Sequence, residues 1–183
     1  MPPEIAPPRP VRYRGLTFPP APDLVGPAAA QALAAGRWQA AYTTAALELA
    51  RPDDAVAVAG AGIGHLPALL AGKLGLPRLL VLEAAPDRRA YLAEIARANG
   101  LPRIGLGAPG DLPAFRPTVL CADLSRAGTL PDLAGLPLRA ALVEFGRAPA
   151  PARIGAVFAA MAQAGLVYLP ALSRGATVAF QRA

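Results

Sequence analysis

The stretch AVAVAGAGIGHLPALLAGKLGLPRLLVLEAAPD, residues 55–87, decides the fold of this chain. Its first five residues are apolar and rich in valine, which is typical of a strand covered on both faces. A glycine turn follows, and leucines at helical spacing then predict a helix over 66–74. A second apolar strand, 78–82, ends directly before Glu83. We therefore predict a strand–turn–helix–strand unit of a parallel α/β sheet.

The turn places Gly60, Gly62 and Gly64 at alternate positions, with Ala61 between the first two. A turn without side chains lets the backbone approach a ligand closely. The dinucleotide fingerprint has its third glycine where this chain has His65. The pattern G-x-G-x-G instead suits a nucleoside ligand that lacks a pyrophosphate. The alternative interpretation is a turn that packs a helix onto a strand and binds nothing.

Glu83 is the acidic residue expected beside such a turn. It lies 23 residues after Gly60, close to the interval of roughly 20 residues at which a carboxylate takes ribose hydroxyls. It also ends a strand, and ligands of open α/β sheets bind at that edge. A carboxylate accepts two hydroxyl donors. Glu83 and the neighbouring Ala84 are therefore predicted to line a ribose site.

At this point the chain resembles the class I S-adenosylmethionine-dependent methyltransferases, and within them the FkbM-type family. That family has a glycine, a Tyr-Glu pair and a Pro-Gly-Asp-like turn before the glycine motif. The matching positions here are Gly36, Trp38, Gln39, Pro52 and Asp54. The resemblance covers roughly residues 15–183 and is weakest over 100–117, a section that is usually longer in the family.

The resemblance implies a doubly wound, Rossmann-like sheet of seven strands, five parallel and the last two forming a closing antiparallel hairpin. Further strands are predicted over 103–106, 118–122 and 139–145, a short helix or turn over 129–136, a helix over 152–164, and the hairpin over 167–169 and 176–181. The domain would run over 23–183 and begin with one or two helices at 24–50. Residues 1–22 contain eight prolines and are predicted to form an irregular arm.

The cofactor implied by the resemblance is S-adenosylmethionine. The turn would carry its methionine end and Glu83 its ribose. The class I methyltransferases commonly have an acidic residue that helps hold the amino group of the cofactor where this chain has Val58. Asp123, at the end of another predicted strand, could supply that carboxylate, or it could cap the following helix. The full set of predicted cofactor residues is Gly60, Ala61, Gly62, Gly64, Glu83, Ala84 and Asp123.

The sequence identifies no catalytic residue firmly. His65 begins the helix after the turn and could act as a base, although lining the pocket is the simpler interpretation. Asp123 and Glu144 end strands at the same edge, and Glu144 could orient a substrate hydroxyl. Methyl transfer to oxygen can proceed chiefly by positioning. We predict no metal site.

Three functions compete. The first is methyl transfer to oxygen on a small-molecule or sugar-like acceptor. The second is a binding or scaffolding protein of the same fold that has lost catalysis, suggested by Val58, Gln39, Ser125 and Gly128 in place of the family's residues. The third is a nicotinamide-dependent oxidoreductase, which His65 at the third glycine position disfavours.

Composition limits the classes of partner and the cellular compartment that we predict for this protein. Hydrophobic residues make up 54% of the chain and charged ones 16%, so the chain is globular. The net charge of +6 comes from dispersed arginines, with few aromatics, which argues against a nucleic-acid partner. The single cysteine, Cys121, allows no internal disulfide and suits the cytoplasm. Residues 55–72 carry no full charge, but Pro67 and the glycines argue against a membrane span.

Overall fold

A computed structural model describes residues 9–101 and 104–183. The strands in this part of the chain are β1 (Val11–Tyr13), β2 (Leu16–Phe18), β3 (Ala55–Ala59), β4 (Arg78–Leu82), β5 (Gly105–Gly107), β6 (Val119–Asp123), β7 (Ala140–Glu144), β8 (Leu166–Tyr168) and β9 (Thr177–Arg182). The α-helices are α1 (Pro27–Ala34), α2 (Ala40–Leu49), α3 (His65–Leu74), α4 (Pro86–Ala98), α5 (Leu112–Phe115), α6 (Leu124–Ala127) and α7 (Pro151–Gln163).

The main sheet has seven strands in the order β5-β4-β3-β6-β7-β9-β8. The first five are parallel, and β9 runs antiparallel to both β7 and β8. This confirms the predicted doubly wound α/β sheet with its closing antiparallel hairpin. The chain leaves β3 toward β4 and β5, then returns to the other side of β3 as β6. The carboxyl ends of β3 and β6 therefore meet at a topological switch point, where α/β proteins bind ligands.

Apolar side chains cover both faces of the sheet, and alternate residues of one strand belong to different cores. Val56 and Val58 pack with helices α2, α3 and α4. Ala57 and Ala59 pack on the opposite face with helices α5, α6 and α7. Cys121 is fully buried in the first core, where burial, helped by the charge of Asp54, raises the pKa of its thiol to about 12. The strands read as continuous apolar runs because neither face meets water.

The stretch over 55–87 folds as predicted. Both its strands, β3 and β4, have the predicted bounds, and α3 begins one residue earlier than expected, at His65. The uncharged run over 55–72 is thus divided between a strand, a turn and a helix. Among the described residues, no helix is both long enough and apolar enough to cross a bilayer.

Two element boundaries differ from the prediction, and one short helix was not predicted. Helix α6 directly follows β6, and Asp123 caps it by accepting the Ser125 N–H at 2.9 Å. Of the short helix or turn predicted over 129–136, the structure shows a turn at residues 134–135. Helix α2 begins at Ala40 and not at Trp38, since Gln39 takes a left-handed conformation with φ of 41°. Strand β5 covers 105–107, while residue 103 of the predicted strand lies outside the described residues.

The N-terminal segment differs more. Residues 11–18 form the antiparallel hairpin β1–β2 in place of the predicted irregular arm, of which residues 1–8 lie outside the described part. Arg14 and Gly15 both have positive φ, as a two-residue hairpin turn requires. Tyr13 and Phe18 are buried in a core shared with α1, α3 and α4. The prolines of this segment flank the strands, so they do not interrupt the pairing.

A partly buried ion pair closes the amino-terminal edge of the sheet. Arg139, before β7, donates to both carboxylate oxygens of Asp54, before β3, and to the Leu49 carbonyl of α2 at 2.7 Å. Thr118 Oγ1 donates to Asp54 Oδ1 at 2.7 Å. Burial works to raise the pKa of Asp54, but these hydrogen bonds lower it below its ordinary value. Asp54, matched above to the turn of the family, thus fastens the sheet at the edge opposite the switch point.

Candidate functional site

A cavity of about 650 Å³ opens at the carboxyl edge of the sheet. Its floor is the end of β3 with Gly60, and one wall is Glu83 and Ala84 after β4. Residues between 106 and 111 form a second wall, and residues between 126 and 131 close the side toward β6. Its size is that of a site for a small ligand. Three predicted cofactor residues, Gly60, Glu83 and Ala84, are thereby brought together.

Glu83 is the buried charge of this cavity. Only 9% of the residue is exposed. Its Oε1 accepts the Ala85 N–H at 3.0 Å, and its Oε2 lies 3.8 Å from Nη1 of Arg88. A carboxylate has about four lone-pair sites, so two oxygen faces are still available to hydroxyl donors.

The glycine turn is built partly for packing. A Cβ on Gly60 would lie 2.5 Å from the Asp123 carbonyl oxygen and 2.7 Å from the Ala127 nitrogen, so only glycine lets the β6–α6 segment close over the turn. A Cβ on Gly64 would lie 3.0 Å from Leu92 Cδ1 of α4. Ala61, Gly62 and Gly64 lie outside the lining of the cavity.

Gly62 is the glycine of the turn with the most room. The nearest atoms to a Cβ there would be Cγ and Nε of Arg126, at 3.8 and 3.9 Å. Arg126 belongs to α6 and also lines the cavity. Sequence reasoning missed this residue, as it missed Asp111 and Arg89 in the other walls, because none of them lies in the glycine motif. The signal for Arg126 was its position three residues beyond the end of a strand at the ligand edge.

Asp123 is engaged by its own chain. Its Oδ2 accepts the side-chain N–H of Gln39 at 2.7 Å, and its Oδ1 accepts both the backbone N–H and the hydroxyl of Ser125, at 2.9 and 2.6 Å. The side chain is buried and does not line the cavity. Of the two predicted roles, the structure therefore displays the helix cap.

Glu144 is the register partner of Asp123 on the next strand. Its Oε2 accepts the Thr177 hydroxyl at 2.5 Å and its Oε1 the Gly146 N–H at 3.4 Å. Burial raises the pKa of Glu144, these two hydrogen bonds oppose that shift, and the nearby charge of Asp123 adds to it. The side chain is half-buried beside α2, outside the lining of the cavity.

His65 lies in the core beneath the hairpin. It is buried, its Nε2 is 3.2 Å from Thr43 Oγ1, and the rings of Tyr13 and Trp38 meet it edge-on. Burial, with a contribution from the charge of Arg14, lowers the pKa of His65 to about 3. The imidazole is therefore neutral at pH 7. It does not reach the cavity lining.

Three buried polar atoms near these residues have no hydrogen-bond partner among the described residues: Trp38 Nε1, Tyr42 OH and His65 Nδ1. Burial raises the pKa of Tyr42 well above its ordinary value, and the charges of Cys121, Asp123 and Glu144 add to the shift. Sequence reasoning missed Tyr42, which reads as one more aromatic residue of an apolar helix. The Tyr42 hydroxyl lies close enough to Asp123 and Glu144 for their charges to act on it.

Several solved structures have a fold similar to that of this chain. A precorrin-6y C5,15-methyltransferase from Geobacter metallireducens matches with a TM-score of 0.61 at 12% identity, over 89% of this chain and 91% of that one. The ribosomal protein L11 methylase of Lactobacillus delbrueckii matches with a TM-score of 0.53 at 14% identity, over 81% and 80%. Aeropyrum pernix fibrillarin, solved with natively bound S-adenosyl-L-methionine, matches with a TM-score of 0.52 at 17% identity, over 76% and 75%.

The chain has the fold of the class I S-adenosylmethionine-dependent methyltransferases. At identities of 12–17% the likeness is one of fold. No protein-family model matches the sequence, and no curated protein does. The finer resemblance to the FkbM-type family stays a prediction.

Proposed function

We propose that this protein is an S-adenosylmethionine-dependent methyltransferase that methylates oxygen on a small-molecule or sugar-like acceptor, as the FkbM-type resemblance implies. One observation carries the proposal. The buried carboxylate of Glu83 faces a cavity of about 650 Å³ next to Gly60, at the switch point of the sheet. A carboxylate that is largely removed from water needs hydrogen-bond donors as partners. The two hydroxyls of a ribose are suitable donors.

The remaining walls suit a nucleoside. Leu82, Leu106 and Leu130 supply apolar surface for a base. Asp111, whose Oδ2 accepts the Ala108 N–H at 2.7 Å, supplies an acceptor for an exocyclic amine. Small-molecule sites combine these features, a mostly apolar lining with a few placed polar groups.

Methyl transfer requires little chemical participation from the residues of the chain. When bound, the cofactor supplies a methyl group already activated on a sulfonium centre. The chain then has to hold the acceptor oxygen in line with that methyl group and keep water out, and positioning alone can account for much of such a rate. None of the candidate acids and bases, His65, Asp123 and Glu144, lines the cavity, which agrees with a mechanism that relies on positioning.

A different observation favours a second candidate, a binding or scaffolding protein without catalysis. Asp123 is occupied by Gln39 and Ser125, and Val58 offers no carboxylate at the turn. A protein that retained the fold and lost the reaction would look like this.

Titration calorimetry with S-adenosylmethionine, S-adenosylhomocysteine and NAD tests the proposal. We expect the first two to bind and NAD not to bind. Binding of NAD alone would point to the oxidoreductase. Binding of none of the three would contradict the methyltransferase and support the second candidate.

A further inference from the structure

The cavity carries opposite charges on the two sides of β3. Glu83 reaches it from the β4 side, and Arg126 reaches it from α6 on the β6 side. Glu83 is buried and accepts a hydrogen bond from the Ala85 N–H, while Arg126 is exposed. A ligand that fills the cavity therefore meets the Glu83 acceptor on the β4 side, where Arg89 and Asp111 also line the cavity, and the Arg126 cation on the β6 side.

Arg126 is without a partner in the described part of the chain. The ion pairs found there join Arg88 to Glu83 and Arg139 to Asp54, and no described residue accepts a hydrogen bond from Arg126. Its Cγ and Nε instead lie over Gly62, 3.8 and 3.9 Å from where a Cβ would be. The guanidinium thus stands beside the most open glycine of the turn with its donors unused.

Few side chains near the glycine turn offer a hydrogen-bond acceptor to a ligand in the cavity. Val58 is apolar, and Asp123, which accepts three hydrogen bonds from Gln39 and Ser125, does not line the cavity. The side chain on offer at this end is a cation with donors only. An anionic group, rather than an ammonium group, is what this arrangement favours.

We propose that Arg126 binds the anionic group at the end of the ligand's 5′ substituent, which in S-adenosylmethionine is the methionine carboxylate. This inference rests on the proposed function, because Glu83 must take the ribose for the substituent to run toward α6. A planar guanidinium matches a carboxylate with two parallel hydrogen bonds.

A pair of ligands isolates the carboxylate. S-adenosylhomocysteine carries it, and 5′-methylthioadenosine has the same nucleoside without the amino-acid group. By calorimetry, Arg126→Gln should weaken the binding of S-adenosylhomocysteine roughly ten- to hundredfold, the range for a hydrogen bond to a charged group. It should leave the binding of 5′-methylthioadenosine unchanged. Arg126→Lys, which keeps the charge and loses the fork, should fall between.

Arg97→Gln is the matched control. It removes the same charge from an exposed position in the last turn of α4, and both dissociation constants should stay as they are. Equal losses for both ligands in Arg126→Gln, or no loss for either, would overturn the inference while leaving the proposed function standing. If the wild type binds neither ligand, the proposed function fails and the inference fails with it.

Adenosine monophosphate separates the two anions that Arg126 can bind. It shares the ribose and ends in a phosphate. We expect it to bind more weakly than S-adenosylhomocysteine. Tighter binding that Arg126→Gln abolishes would show that the site takes a phosphate and would overturn the assignment of a carboxylate.

Discussion

Glu83 is a buried acidic residue that has few partners in the protein. The Ala85 N–H and the half-exposed Arg88 compensate part of the cost of burial. The rest of its hydrogen-bonding capacity points at the cavity. Buried carboxylates of this kind are costly unless they are paired. The position is therefore better explained by a ligand than by stability.

We expect Glu83→Ala to weaken the binding of S-adenosylhomocysteine by about 1.5–3 kcal/mol, since a hydrogen bond to a charged group is lost. This is roughly ten- to hundredfold in the dissociation constant measured by calorimetry. The free energy of unfolding should fall by about 1 kcal/mol, because the Ala85 N–H loses its acceptor. Glu94→Ala, exposed on α4, should change neither quantity. Equal affinity in wild type and Glu83→Ala would show that Glu83 does not bind the ribose.

At the scale of elements, the hairpin β1–β2 behaves as a part of the domain. Its apolar side chains enter the core shared with α1, α3 and α4. Asn99, after α4, binds it directly, accepting the Thr17 N–H and donating to the Thr17 carbonyl, each at 2.7 Å. A side-chain amide thus completes the free edge of β2 as another strand would. The hairpin in turn covers His65 and the start of α3.

Asn99→Ala tests this anchor. It leaves the Thr17 N–H and carbonyl without partners, which should lower the free energy of unfolding by about 1–3 kcal/mol. Amide hydrogen exchange at Thr17 should accelerate more than exchange in β3, because the hairpin opens locally. Asn99→Asp keeps the acceptor for Thr17 and should recover part of the loss. Unchanged exchange in Asn99→Ala would mean that the apolar contacts of Tyr13 and Phe18 hold the hairpin alone.

At the scale of the whole molecule, ionisable groups in the interior make stability depend on pH. The pKa of His65 is about 3 in the folded protein and about 6.5 when unfolded. Below about pH 6.5 the unfolded chain binds a proton that the folded protein refuses, so stability falls as the pH falls. The lowered pKa of Asp54 acts in the same direction, since its stabilisation is lost as the pH falls through the folded value.

We expect the free energy of unfolding to fall by on the order of 3 kcal/mol between pH 7 and pH 4 through His65 alone. Urea titrations across this range measure it. His65→Gln should be less stable at pH 7, because Gln fills the site less well, yet its stability should change less with pH. The difference between the two curves isolates His65. Parallel curves would mean that His65 binds its proton with the same pKa in the folded and the unfolded protein, and would contradict this expectation.

The sequence by itself determined the unit over 55–87 and much of the sheet around it. Periodicity, glycine and the end of an apolar run are local signals, and a strand buried on both faces reads the same wherever it lies. The position of Glu83 at the ligand edge followed from where its strand stops. The closing hairpin, β8 and β9, was predictable for the same reason, with bounds within a residue or two.

Only the tertiary structure decided which side chains meet. Gln39 reaches Asp123 across 84 positions of sequence, and that contact engages a carboxylate that the sequence left open as a ligand. His65 is the first residue of α3, and a hairpin distant in sequence buries it. Arg126 faces the cavity because α6 follows β6 at once and closes over Gly60. Such contacts join residues that are far apart in sequence, and no local sequence pattern predicts them.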